Sequence, residues 1–164
     1  MNNSKLLSLG LDEAFDWLDQ VVRGLTPEQY AWQPPGTANP ISKLHAHTLS
    51  SGDFWLNVTG LGKPLLWTGV AEKLGLPANP MQIWKFDGPI SIDDLQAYAA
   101  ALRADGVANV EALDDASLLR EIDSPFFGRR DVAFVIRLAA TQLTIHTGEI
   151  SATKGIQGLR GLPV

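Results

Sequence analysis

From Asp131 to Gly155 the chain carries apolar residues at a spacing that a helix turns to one side. At about 100° per residue, Val132, Val135, Leu138, Ala139, Leu143 and Ile150 gather on one face. His146 falls near the middle of that face, with Gln142 and Glu149 close to its edge. Positions i, i+4 and i+7 stack along a helix. Three groups with ligand chemistry therefore point where a hydrophobe is expected. Asp131 is placed to cap this helix and Gly155 to end it.

Three more stretches have the same period. Asn3 or Ser4 can cap a first helix reaching about Leu25, with Leu7, Leu11, Phe15, Leu18 and Val22 at helical spacing. Thr26-Pro27-Glu28-Gln29 reads as a cap, a proline at the first helical position and one short turn. After the proline-rich AWQPPGTANP, a second long helix runs from Ile41 to about Thr59, stopped by Gly60 and Gly62. Ser91, followed by Asp93 and Asp94, caps a third that reaches about Leu113. Residues 63–90 hold four prolines with Trp67, Trp84 and Phe86 between them, and a short helix is expected at Gly69–Leu74. A connection of that length inside a small chain is usually functional or packs as a lid. Residues 114–130 make the other long connection, with a helical turn at Asp115–Leu119 and an extended piece at Ile122–Phe127. No alternating pattern of useful length signals a sheet. The expectation is one all-α domain over residues 1–164, a four-helix bundle with long connections between helices 2 and 3 and between helices 3 and 4.

Composition removes several functions. There is no cysteine among 164 residues, so disulfides, zinc fingers and a cysteine nucleophile are excluded. A formal net charge of −5 argues against nucleic acid as a partner, which requires a basic patch. No apolar run approaches the roughly 20 residues that span a bilayer. The amino terminus reaches acidic residues at once, unlike a secretory signal, so a cytoplasmic protein without a membrane partner is expected. Charged residues are only 19%, and an oligomer interface would account for so apolar a surface.

The chain has three histidines, His45, His47 and His146. His45 and His47 are two residues apart on one helix and so point about 200° from each other. At most one faces His146, and the periodicity does not choose between them. A lone inward histidine is ordinarily a satisfied core residue. Two from different helices, with an amide and a carboxylate on the same face, make a bundle-interior metal site the sharper reading. The plainer alternatives are a buried amide for Gln142 and a surface carboxylate pairing with Lys154 or Arg160 for Glu149. The five tryptophans read as core and loop packing, with the lining of a pocket between the helices as the functional alternative. Lys154, Arg160 and the glycines after them can cradle an anion, but so short a signal reads most simply as a solvated tail. Walker, nucleophile-elbow and dinucleotide motifs are absent.

The run His146-Thr147-Gly148-Glu149-Ile150 and Lys154-Gly155-Ile156-Gln157-Gly158-Leu159-Arg160-Gly161-Leu162-Pro163 resembles the DinB/YfiT-like superfamily. So does the upstream phrase Ile41-Ser42-Lys43-Leu44-His45-Ala46-His47 with Asp53-Phe54-Trp55-Leu56. The resemblance implies a four-helix bundle, often a homodimer, and a divalent metal, commonly zinc or nickel, held by three histidines. Carried over, one ligand matches His47 and another His146, while the first histidine of the fourth helix's pair falls on Gln142. An amide oxygen is a weaker donor than imidazole to such metals. Glu149 is a fourth candidate if it turns inward. The resemblance further implies a metal-dependent transferase or hydrolase, with a low-molecular-weight thiol as a cosubstrate. The competing expectation is a bundle that has lost its metal and serves as a non-catalytic small-molecule-binding or stress-response module.

Overall fold

The computed structural model describes residues 2–162. Pro163, the last residue of the carboxy-terminal run, lies outside the described residues. Four long helices carry the fold: α1 (Asn3–Val22), α3 (Ile41–Asp53), α5 (Ile92–Glu111) and α7 (Val132–Ile156). Short helices α2 (Pro27–Ala31), α4 (Trp67–Leu74) and α6 (Asp115–Leu119) occupy the connections. Around the bundle α1 packs against α5 and α7, and α3 closes the ring against the same two helices. Among the described residues no helix is long and apolar enough to cross a membrane.

Local chemistry explains where each helix begins. Asn2, one residue ahead of the expected cap, accepts from the Lys5 amide at 3.0 Å. Thr26 and Gln29 form a reciprocal capping box. Ser91, Asp114 and Asp131 each accept from the amide three residues on. These side chains satisfy donors that no preceding helical turn can reach. The inward stripes follow at three- and four-residue intervals: Leu11, Phe15, Leu18 and Val22 on α1; Leu95, Tyr98, Leu102 and Val110 on α5; Val132, Val135, Ile136, Ala139, Leu143 and Ile150 on α7. Full burial of one such leucine stabilises by roughly 1.5–3 kcal/mol.

Three features depart from the sequence expectation. The second long helix does not run unbroken to Thr59. It widens after Asp53 into a π-helical segment, Phe54–Leu61, closed by Gly62 at φ +67°. Between Pro80 and Lys85 the long connection coils into a 3₁₀ turn. The connection before α7 contains a two-stranded antiparallel hairpin, β1 (Glu121–Ser124) with β2 (Gly128–Asp131). Strands of four residues are too short for alternation to register, and both are largely exposed.

The hairpin turn holds a large residue in a conformation that favours glycine. The Phe127 amide donates to the Ser124 carbonyl at 3.3 Å, with Pro125 second and Phe126 third at φ +68°. That third position with positive φ is where a type II turn takes glycine. Phe126 is 93% exposed, so burial returns little for the roughly 1–2 kcal/mol that left-handed backbone costs a side chain. Phe126→Gly is therefore expected to raise stability by up to about 1 kcal/mol, read as an upward shift of the urea midpoint. An unchanged or lowered midpoint would refute the turn assignment.

Candidate functional site

The two histidines of α3 separate as helix geometry requires. His45 is fully buried and its Nδ1 lies 2.9 Å from the Tyr30 hydroxyl of α2. It is a core residue. Burial lowers its pKa from 6.5 to about 4, opposed by the charge of Asp19. A histidine kept neutral in the folded state refuses the proton that the unfolded chain takes up below about pH 6.5. Its contribution is complete above pH 6.5 and is lost as the pH falls toward 4, by up to about 3 kcal/mol. Urea midpoints of the metal-free protein should drop across that window, with a flatter profile in His45→Gln. A profile level from pH 6.5 to 4 would contradict this account.

His47 points the other way and meets α7. Its ring lies 5.1 Å from the His146 ring between centroids, nearly perpendicular at 83°. The indole of Trp84 also packs on it, with ring centroids 4.4 Å apart. The Nδ1 of His47 is buried and has no hydrogen-bond partner. Burial is the main cause that lowers the His47 pKa to about 4; the charge of His146 lowers it further, and that of Glu149 opposes. At neutral pH this ring is thus uncharged, with a lone pair to offer.

On α7, His146 presents its Nδ1 to a Glu149 carboxylate oxygen at 2.5 Å. The His146 side chain is 15% exposed and that of Glu149 52%. His146 does not sit at the middle of the buried face, as the apolar period suggests. Leu143, Thr147 and Ile150 form that line, and His146 lies at the edge that turns toward α3. The broad buried face of α7 serves both α1 and α3, so its centre is displaced from the His146 meridian. Gln142, one turn earlier on the same edge, is half-buried and makes no side-chain hydrogen bond among the described residues. Glu149 pairs with His146, while Lys154 turns inward to backbone carbonyls.

Trp84 belongs to this cluster and was hidden among the tryptophans that read as packing. It rides on the 3₁₀ turn, and the Lys43 ammonium holds that turn to α3 through the Trp84 carbonyl at 3.1 Å and Asp87 at 3.6 Å. Lys43 stands one helical turn before His47. The sequence signals it only as one of five tryptophans open to lining a pocket, within a long, proline-punctuated connection. Two imidazoles from facing helices, an aromatic cover and a carboxylate fixed on one ring are thus assembled. Among the described residues no group of three or more His, Cys, Asp or Glu side chains is placed to hold a metal; the third position on this face is an amide.

Comparison with known proteins places the bundle. The model of the DinB superfamily matches residues 11–150. A conserved protein from Enterococcus faecalis superposes with a TM-score of 0.78 at 19% identity, over 95% of this chain and 97% of that one. A DinB-like protein from Bacillus subtilis gives 0.60 at 21% identity, over 99% and 97%. At these identities the likeness is one of fold. Among curated proteins none matches the chain in sequence.

Proposed function

The chain belongs to the DinB superfamily, and on that premise we propose that it is a single-domain protein whose His47–His146 pair binds a divalent metal, zinc or nickel, with Gln142 as a weaker third donor. The observation that carries the reading is the meeting of two imidazoles from separate helices with ring centroids 5.1 Å apart. The donor chemistry fits. His47 is neutral and its buried Nδ1 is orphaned, which an electrophile would relieve. Glu149 on the Nδ1 of His146 leaves Nε2 outward; metal-ligating histidines commonly give their second nitrogen to a carboxylate in this way. On this reading Glu149 orients His146 in preference to ligating the metal.

When bound, such a metal supplies Lewis acidity that lowers the pKa of a coordinated thiol or water. The residues of the chain do the remainder. His47 and His146 would hold the metal with Gln142 as the weaker donor, Glu149 holds the His146 tautomer, and Trp84 packs on His47. A low-molecular-weight thiol as cosubstrate suits a chain without cysteine, and the reaction class is then a transferase, with metal-dependent hydrolysis as its neighbour. The reading includes a cytoplasmic homodimer through the α1–α7 face, where Leu6, Leu9 and Ile145 are exposed beside a groove of about 290 Å³; sedimentation as a monomer at micromolar concentration would remove that part.

Metal content decides the main claim. Protein purified without an affinity tag should carry close to one equivalent of zinc or nickel, and chelator should lower its melting temperature. His47→Ala and His146→Ala should each abolish the binding. A metal-free preparation with unchanged melting after chelation would reject it. A second reading is favoured by one observation: among the described residues no three His, Cys, Asp or Glu side chains are grouped so as to hold a metal, and the His47–His146 edge then binds a small molecule without catalysis.

A further inference from the structure

The carboxy-terminal tail is a built structure rather than a solvated extension. Gly158 adopts φ +78°, and the Gly158 and Leu159 amides donate to the Gly155 and Lys154 carbonyls at 3.0 and 2.9 Å. This glycine-ended turn folds the chain back over α7. At Gly161 a Cβ would stand 2.2 Å from the Ser151 hydroxyl oxygen, so a side chain there would force that hydroxyl or the tail to move. Beneath it lies Lys154, only 8% exposed. Its ammonium donates to the Val21 carbonyl at 2.8 Å and the Gly161 carbonyl at 3.4 Å. An ammonium has three protons to place, and among the described residues Lys154 has no carboxylate partner. A buried cation without a counter-charge is costly. Burial accordingly pulls its pKa below the ordinary lysine value.

Lys154 opens onto a cavity of about 400 Å³ lined by Gln20, Arg23, Lys154, Arg160 and Gly161. Among the described residues no carboxylate lines it, although the whole chain carries a net charge of −5. Two acids touch its lining, each from one turn back: Asp19 pairs with Arg23, and Asp16 accepts from the Gln20 amide. We propose that this cavity is a binding site for a small oxyanion of the phosphate type, seated on the Lys154 ammonium with the Arg23 guanidinium at its rim. Ammonium and guanidinium together are the usual partners of phosphate oxygens, and the carbonyls already bonded to Lys154 hold it in place for the third contact. The site is separate from the His47–His146 pair and does not depend on a metal.

The competing explanation is that the cations only offset the negative ends of α1 and α7, which converge here. Titration with inorganic phosphate separates the two, with sodium chloride matched for ionic strength. Wild-type protein should bind one equivalent by calorimetry and melt at a higher temperature in phosphate than in matched chloride. Arg23→Gln keeps the fold, since it removes one exposed ion pair, and should weaken phosphate about tenfold. Lys154→Met should abolish the phosphate effect; if that variant fails to fold, Arg23→Gln alone carries the test. Vesicles containing phosphatidic acid form a second arm. Phosphate binding without vesicle binding supports the site with a free small molecule as its ligand, and vesicle binding lost in Arg23→Gln supports it with a lipid headgroup. No phosphate effect beyond chloride, or an effect equal in wild type and Arg23→Gln, overturns the proposal.

Discussion

Gln142→His is expected to tighten zinc binding by on the order of 10–100-fold. The reasoning starts from the other two positions. His47 and His146 already face one another with centroids 5.1 Å apart, and residue 142 lies one turn before His146 on the same edge of α7. An imidazole there replaces a weak amide donor by a strong one. Changes to groups that merely support a ligand already alter metal affinity by roughly 10–100-fold, so exchange of a donor should do at least as much. Competition with a chromophoric chelator, at fixed pH because the ligands must be deprotonated, measures the effect. Glu149→Gln serves as the companion, expected to weaken binding through the loss of the carboxylate on His146 Nδ1. An unchanged affinity in Gln142→His would show that residue 142 does not face the pair, and the binding-module reading would then stand.

Asp53→Ala is expected to destabilise the protein by about 3–5 kcal/mol, because it removes three buried hydrogen bonds to one carboxylate. Asp53 is fully buried at the junction of α3 and the π-helical segment. One carboxylate oxygen accepts from the Trp67 amide at 2.7 Å and from the Tyr98 hydroxyl at 2.6 Å, and the other from the Asn57 side chain at 2.8 Å. Three elements are tied through it: the π segment, the start of α4, and α5. The first turn of α4 has no side-chain cap of its own, and Asp53 supplies one from a distance. Burial raises the Tyr98 pKa well above the ordinary value, and the charge of Asp53 and the hydrogen bond to it add to the effect. Hydrogen bonds to a charged group contribute roughly 1.5–3 kcal/mol each. Truncation strands three buried donors at once. Tyr98→Phe removes one donor and should lose less, and the double variant should lose less than the sum of the two because they share a partner. Urea unfolding of the three variants gives the cycle. A loss below about 1 kcal/mol for Asp53→Ala would mean that the network is slack.

The π segment adds a point about position. Gly60 packs with its would-be Cβ 3.3 Å from the Trp55 carbonyl and 3.6 Å from Val135, so α7 approaches closely where the helix widens. Wide turns of this kind occur often beside functional sites. Here the widened turn begins at the Asp53 network, between the His47 half of the helix and the connection that carries Trp84.

What the sequence determined by itself is what short-range physics controls. Helix period, the caps at Thr26, Ser91 and Asp131, and the short helix at Asp115–Leu119 all depend on residues within a turn or two of each other, so they could be read from the chain. The inward direction of His146 was legible only approximately, because the width of the α7 face depends on two neighbours that the residue pattern of α7 does not record. Tertiary structure decided the rest. His45 and His47 are equivalent by period, and only the position of Tyr30 assigns one to the core and leaves the other for α7. Trp84 joins the site because a lysine on another helix grips its carbonyl across 41 residues. The widened helix is held by contacts with distant elements, so no local pattern announced it; the hairpin showed only as an extended piece at Ile122–Phe127, because strands of four residues are too short for alternation to register. The burial of Lys154 follows from a tail that must fold back first. In each case the deciding partner is remote in sequence, and only the packed chain brings its energy to bear.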